Sequence, residues 1–327
     1  MLKIEQSLGR DAVQAALSRQ SSQRAVERTR RITLASALPH VSKGALPYLM
    51  VAPALTVLGV FVVYPILYMI YLSLFKWNMI GPMKFVGFGN FVDMFTDSDF
   101  WQVMGNSFQY MAFTVALSIV LGLACALFFK RRSKVNNIMQ TILFTPYVVS
   151  LISVAFIWMW LMDTDFGLLN FALSFFGLGP VGWLDDPKVA MYSLILVTVW
   201  KSLGYNTIIL LSAMQAVPGY LYEAASLDKG KPLNVLFKIT LPMISPTLFF
   251  LTLMNMISAF KVFETVNVMT MGGPVNSTNT LVHSIYQTGF IFYKIGYASA
   301  MGVVLMVIIG VCTLLYFLGL SRRVHYR

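Results

Sequence analysis

Charge is scarce in this sequence. Lys, Arg, Asp and Glu make up 11% of its 327 residues, hydrophobic residues make up 57%, and the mean hydropathy is +0.72. So few charges argue against a water-soluble globular fold. Cysteine is nearly absent: Cys125 and Cys312 both fall within apolar runs, spaced for neither a metal site nor a disulfide framework, and read as small apolar fillers. The three histidines, His40, His283 and His325, are scattered and form no metal or acid–base cluster, which argues against a membrane-embedded enzyme. There is no Gly-x-x-x-x-Gly-Lys-Ser/Thr stretch, and Asp228-Lys229-Gly230-Lys231 lacks the spacing to cradle phosphates, so energy has to come from elsewhere. Acids within the apolar runs are limited to Glu264. A secondary transporter normally needs ion-coupling acids deep in its bundle and often internal repeats; it stands as the alternative function. A cleaved signal is also missing: residues 1–45 are polar and the first apolar run is too long for one, so the first helix is expected to direct insertion.

What the sequence has in abundance is long apolar runs. A spanning helix needs about 20 mostly apolar residues to cross the hydrocarbon layer with every backbone group satisfied. Six such runs occur, at 48–75, 107–129, 138–162, 190–217, 246–268 and 298–320. Four contain no charged residue; Lys201 lies in the fourth, and Lys261 with Glu264 in the fifth. The expected fold is an all-α membrane protein of six transmembrane helices (48–320), with a basic N-terminal arm (1–47) and a short tail (321–327). Eighteen Lys and Arg fall in the arm, in the connections after the second and fourth runs, and in the tail; the opposite side has Lys76, Lys84, Lys188 and Lys294 beside seven aspartates. That bias places both termini in the cytoplasm. It also accounts for the net charge of +11 by topology and contact with anionic lipid rather than by nucleic acid. The arm reads either as an amphipathic helix on the membrane surface or as a disordered basic segment.

The cytoplasmic connection 218–242 carries the functional pattern. Its residues predict a short helix after Pro218, a break at Lys229-Gly230 and a second helix with Pro232 in its first turn. Tyr222, Ala225 and Ser226 fall on one helical face at three- and four-residue spacing, while Ala224 and Ala225 keep side-chain bulk low for close approach of another protein. Glu223-Ala224-Ala225, Asp228, Ile239 and Leu241-Pro242 resemble the EAA loop of ABC-importer permeases. Lys229 stands where that pattern has Gly, with Gly230 one place later, so the turn with positive φ is expected to be displaced to Gly230. Further stretches match the sugar and glycerol-phosphate branch, related to the maltose type: Tyr64-Pro65, Phe85-Val86-Gly87 with Asn90-Phe91, Trp183 to Pro187, Trp200 with Gly204, and Met271-Gly272-Gly273-Pro274 with Thr278 and Thr280. The resemblance implies a permease subunit of a binding-protein-dependent importer in the bacterial inner membrane. It implies a second homologous permease, two ATPase subunits that use ATP and Mg, and a periplasmic or lipid-anchored solute-binding protein. It implies a coupling helix gripped by the ATPase through Tyr222, Glu223, Ala224, Ala225, Asp228, Gly230 and Pro242, and no cofactor or metal on this chain.

Polar residues inside the spans are candidates for the solute path. Lys201, beside Trp200 and close to Tyr205 and Asn206, offers hydrogen bonding and stacking suited to a sugar face; alternatively Lys201 pairs with a carbonyl or acid of a neighbouring helix. Asn255, Ser258 and Phe263 are further candidates, although Ser and Asn also join helices. Lys261 and Glu264, three apart, are expected to pair on one face of the fifth helix. The segment 272–286 is expected to be an outer loop, and the resemblance implies that Gly272, Gly273 and Pro274 face partner proteins.

Overall fold

A computed structural model of the chain describes residues 46–130 and 133–320. The N-terminal arm, Arg131 and Arg132, and the tail lie outside the described residues. The chain divides into two compact units, residues 1–66 and 67–327. The described part of the first unit is most of one apolar helix, α1 (Pro47–Ser73).

The second unit is helical apart from a two-stranded antiparallel hairpin, β1 (Phe75–Lys76) and β2 (Lys84–Phe85). After a short helix α2 (Gly89–Thr96) come α3 (Ser98–Phe128), α4 (Lys134–Val148), α5 (Leu151–Leu161), a short α6 (Leu168–Ser174) and α7 (Ala190–Gln215). Then follow α8 (Gly219–Leu227), α9 (Pro232–Met243), α10 (Ser245–Phe260), α11 (Glu264–Met269), α12 (Leu281–Tyr286) and α13 (Ile295–Leu320). Helices α1, α3, α7 and α13 are each long and apolar enough to cross a membrane; the bent pairs α4–α5 and α9–α10 bring the number to six if each pair is one span.

The bends differ from the straight third and fifth spans expected from hydropathy. Helix α4 stops at Val148, Val149 and Ser150 are extended (ψ 144° and 132°), and α5 leaves at 100° to α4. The 246–268 run is broken because α10 ends at Phe260 and a new helix starts only at Glu264. Hydropathy sums an 18- to 20-residue window and is blind to a two-residue change of ψ within it. Two prolines leave a recurrent local signature. Ahead of Pro65 and Pro242 the helix widens into one π-turn, with Tyr64 N donating to Gly59 O and Leu241 N to Leu236 O. A proline ring collides with the carbonyl four residues back and brings no N–H, so a widened turn just upstream lets the helix continue.

Helix α3 is the spine of the unit and packs along α7 and α10. Its buried positions Ser107, Tyr110, Thr114, Ser118, Gly122 and Ala126 recur every three or four residues. Small residues on that stripe let backbones approach, as expected where lipid supplies no hydrophobic drive between helices. A Cβ on Gly122 would meet Asn206 Cβ at 3.0 Å, and one on Gly204 would run into the Leu143 carbonyl of α4. Helix α7, half buried within the bundle, is held from both sides, whereas only 6% of the apolar window of α13 is buried. That surface is left for lipid or another subunit.

Candidate functional site

Helices α3, α4, α5, α7, α10 and α11 enclose a cavity of about 360 Å³. Three tyrosines shape it. Tyr147 and Tyr205 stack with ring centroids 4.6 Å apart, and the Tyr110 hydroxyl lies 2.6 Å from Thr198 Oγ1. Thr114, Ser202, Asn255, Ser258 and Thr265 add polar groups to the wall, and Lys201, Lys261 and Glu264 add charge. Flat aromatic surface flanked by hydroxyl and amide groups is the chemistry that holds a polyhydroxylated ring.

Of the expected path residues, Lys201, Tyr205, Asn255 and Ser258 line this cavity, and Trp200, Asn206 and Phe263 do not. Trp200 packs edge-on against Trp158 at 5.4 Å. Asn206 is fully buried, accepting from Asn255 Nδ2 at 2.8 Å and donating to Ser202 O, which makes it a link between α7 and α10. Phe263 packs on Tyr286 at 5.1 Å, near His283.

Lys201 takes the second of its two readings. Its ammonium donates to Pro146 O at 2.9 Å, Tyr147 O at 3.1 Å and Val149 O at 2.6 Å. An ammonium has three protons, and all three are committed. The last carbonyls of a helix have no partner within it, and a cation at that end also complements the helix dipole. Lys201 therefore caps α4 at the bend, and the bend in turn sets Tyr147 and Leu151 into the cavity wall. Lys261 and Glu264 depart from the sequence reading: one helix ends at Phe260, just before Lys261, and the next begins only at Glu264, so they do not share a helical face, although both line the cavity.

The connection 218–242 folds as helix, stop, helix. Helix α8 ends in a Schellman arrangement, Gly230 N donating to Ala225 O at 2.9 Å and Lys229 N to Ser226 O at 3.1 Å. The left-handed residue is Lys229 itself, at φ 51°. The turn is thus not displaced to Gly230. Glycine is useful at 230 for another reason, because a Cβ there would sit 3.0 Å from Ala225 O. The face of α8 is also rotated from the one expected. Tyr222 is half-buried, its hydroxyl 3.3 Å from Thr240 Oγ1 and its ring 3.6 Å beneath the Lys130 ammonium, a pairing worth about 0.5–1 kcal/mol at such a site. Ala225 is half-buried too. Tyr220, Glu223, Ala224 and Leu227 instead form the exposed stripe, with Ser226 and Asp228 exposed beside it. Pro242 is half-buried at the π-turn of α9 and belongs to the joint beneath α8 rather than to its outer face.

The 270–283 loop is tightly tied. Asn106 of α3 donates to Asn276 O and Asn279 O at 2.7 and 3.0 Å, and Leu281 N donates to Ser107 Oγ at 2.8 Å. Thr278 Oγ1 bridges Thr270 Oγ1 and Gly273 O. Gly272, at φ 84°, is buried against His283, where a Cβ would lie 3.0 Å from the ring. His283 Nδ1 is 2.9 Å from Asn279 Oδ1, and burial holds its pKa below the usual histidine value. Gly273 and Pro274 are half-buried, and Met271 and Val275 are the exposed tip.

Residues 118–326 match the family model described as binding-protein-dependent transport system inner membrane component. The chain belongs to that family. The permease is 31% identical over 293 residues to the sn-glycerol-3-phosphate transport system permease protein UgpA of Yersinia pestis, covering 88% of this chain and 98% of that one. It is 34% identical over 268 residues to the probable ABC transporter permease protein YurN of Bacillus subtilis, covering 80% and 91%. Its fold is similar to that of a chain from a bacterial alginate ABC transporter solved with an alginate pentasaccharide-bound periplasmic protein, with TM-score 0.76 at 23% identity, over 86% of this chain and 96% of that one. Membership in a binding-protein-dependent family displaces the secondary-transporter alternative.

Several residues of the permease cavity went unnamed at the sequence level: Tyr110, Thr114, Thr198 and Ser202, with Tyr147 across from them. The stripe of small and polar residues on α3 marked its buried face, and Tyr110 and Thr114 lie on it. Tyr147 carried no such signal, since its position depends on the α4–α5 bend.

Proposed function

We propose that this permease forms, with a second permease, the path for a sugar or sugar-like solute, and that ATPase subunits using ATP and Mg drive it through the 218–242 connection. The solute class is supported by the relative UgpA of Yersinia pestis, whose name specifies sn-glycerol-3-phosphate, and by the tyrosine- and hydroxyl-lined cavity. Both termini face the cytoplasm in this reading, in keeping with the Lys and Arg bias, and a solute-binding protein delivers from the other side.

The observation that carries the coupling role is the exposed stripe Tyr220, Glu223, Ala224 and Leu227 on a helix anchored from behind by Tyr222. A small residue between an acid and a bare leucine allows close docking, and the anchor turns displacement of α8 into displacement of α9 and α10. Closing of the ATPase pair then rocks the bundle between inward- and outward-open states. The test is uptake and ATP hydrolysis in proteoliposomes holding the complete assembly. Glu223→Ala is expected to leave insertion and assembly intact while lowering the solute moved per ATP hydrolysed. Wild-type coupling in that variant, together with wild-type coupling in Ala224→Trp, would refute the reading.

A further inference from the structure

Helix α9 meets α10 at 73°, turning at Ile244, whose side chain is buried. With α10 running across the membrane, a helix at that angle and about 18 Å long lies close to the membrane plane. A neighbouring side chain fixes its depth. The Tyr222 ring sits 3.6 Å beneath the Lys130 ammonium, and the Tyr222 hydroxyl lies 3.3 Å from Thr240 Oγ1, so one tyrosine reaches from the cytoplasmic end of α3 to α9. The two therefore share one level, the surface at which α3 leaves the hydrocarbon. That end of α3 has an exposed Phe128 just before Lys130, an aromatic and a cation paired as they are at a membrane boundary.

The surface of α9 is two-sided. Thr240 is buried, and Val235, Leu236 and Ile239 are half-buried. Leu233 and Phe237, four apart and so on neighbouring turns, are 67% and 63% exposed, with Asn234 and Lys238 exposed beside them. Charge is segregated along the connection. Its acids, Glu223 and Asp228, belong to α8 and its stop, whereas from position 229 to 242 it has Lys229, Lys231 and Lys238 and no acid. Among the described residues no carboxylate oxygen lies within 4.0 Å of the Lys231 or Lys238 ammonium. The stripe that α8 offers to the ATPase is thus acid-bearing, and the neighbouring α9 face is apolar and basic. Large apolar side chains flanked by lysines, on a helix level with the membrane surface, have the composition of an interfacial helix: the apolar groups enter the head-group boundary and the lysines extend toward phosphate.

We propose that α9 is seated in the cytoplasmic leaflet, with Leu233 and Phe237 at the acyl boundary and Lys231 and Lys238 on anionic lipid head groups. The inference rests on the cytoplasmic placement of 218–242 in the proposed importer reading. Lipid then holds the joint through which α8 passes its displacement to α10, at a strength set by the anionic fraction of the leaflet.

The test uses the complete assembly in nanodiscs of mixed phosphatidylglycerol and phosphatidylcholine, or of phosphatidylcholine alone, in a Cys125→Ala/Cys312→Ala background. A fluorophore on Asn234→Cys, which keeps both apolar anchors, is read by its quenching from lipids that carry a nitroxide near the top or near the end of the acyl chain. Strong quenching by the shallow nitroxide and weak quenching by the deep one are expected at 234, with little from either at Ser226→Cys on α8. Lys231→Gln/Lys238→Gln is expected to lower the ratio of seated to free helix in the mixed lipid by roughly fivefold per lysine, and to leave it unchanged in phosphatidylcholine alone. Quenching at 234 no stronger than at 226 overturns the proposal, as does quenching that ignores both the anionic lipid and the lysines. Joining of the 234 thiol to an ATPase or second-permease subunit by a short bifunctional reagent, without lipid quenching, also overturns it by assigning the face to protein. Reaction of that thiol with impermeant reagents from the periplasmic side alone would refute the topology of the importer reading itself.

Discussion

Replacing Lys201 by methionine separates its two roles. Methionine keeps the length and apolar stem but strips the donors from Pro146 O, Tyr147 O and Val149 O. The Pro146 bond is the part-buried one, and its carbonyl left without a partner costs about 1–3 kcal/mol. The bonds to Tyr147 O and Val149 O are exposed, so water replaces the lost donor and each adds about 0.5 kcal/mol. The sum, roughly 2–4 kcal/mol, corresponds to a fall in melting temperature of about 3–6 °C for a chain of this size. Lys201→Arg keeps the charge but spreads its donors over a planar fork that does not converge on three carbonyls, so an intermediate loss is expected. Thermal unfolding of the purified assembly, run beside uptake kinetics, provides the assay. Unchanged melting in Lys201→Met with a raised half-saturating solute concentration would refute the capping argument and return Lys201 to the solute.

Three further outcomes follow from close contacts and burial. Gly204→Ala forces a Cβ into the Leu143 carbonyl, a backbone atom that yields only if α4 shifts, at a cost of about 3 kcal/mol or more; Gly310→Ala on α13, with nothing within 4 Å, is the neutral control, and equal yields of folded protein from the two would contradict the packing account. Lys229→Gly relieves the left-handed strain at φ 51° and is expected to stabilise the α8 stop by about 1 kcal/mol, read as slower amide exchange at Gly230; faster exchange would contradict it. Burial lowers the pKa of His283, so its neutral form is favoured in the fold: the contribution to stability is complete above about pH 6.5 and is lost as the pH falls through the depressed value. Amide exchange in 270–283, corrected for its intrinsic pH dependence, is expected to speed up between pH 7.5 and 5.5, and the same acceleration in His283→Asn would show that another group is responsible.

The six-span architecture and the place of the coupling element were legible because both are written in local composition: apolar runs long enough to span, and an Ala-rich helix stopped by Lys-Gly. The cavity was legible only in part. Tyr205, Asn255 and Ser258 announced themselves as polar groups within spans, but Asn206 looked the same and proved to be a buried link, because sequence does not say which face of α7 meets α10. The capping role of Lys201 depends on backbone carbonyls, which have no letter in a sequence, and on a bend that an apolar window conceals. The orientation of α8 was not legible for a related reason: a three-residue spacing identifies a face without saying whether it looks outward, and the Lys130 and Thr240 contacts to Tyr222 turn Tyr222 and Ala225 inward while Ser226 stays exposed. At Lys229 the loop geometry outweighed residue preference, since the two backbone bonds of the Schellman stop fix which position must be left-handed.

The most direct measurement is a cross-link from α8. Ala224→Cys places a thiol on the exposed stripe, while the native Cys125 and Cys312 are only half-exposed and set the background in the unsubstituted permease. In membranes containing the whole assembly, a short bifunctional thiol reagent is expected to join Ala224→Cys to an ATPase subunit, with a yield that changes when ATP is bound. A thiol at 224 that joins no nucleotide-hydrolysing subunit, or that reacts with impermeant reagents only from the periplasmic side, would contradict the account.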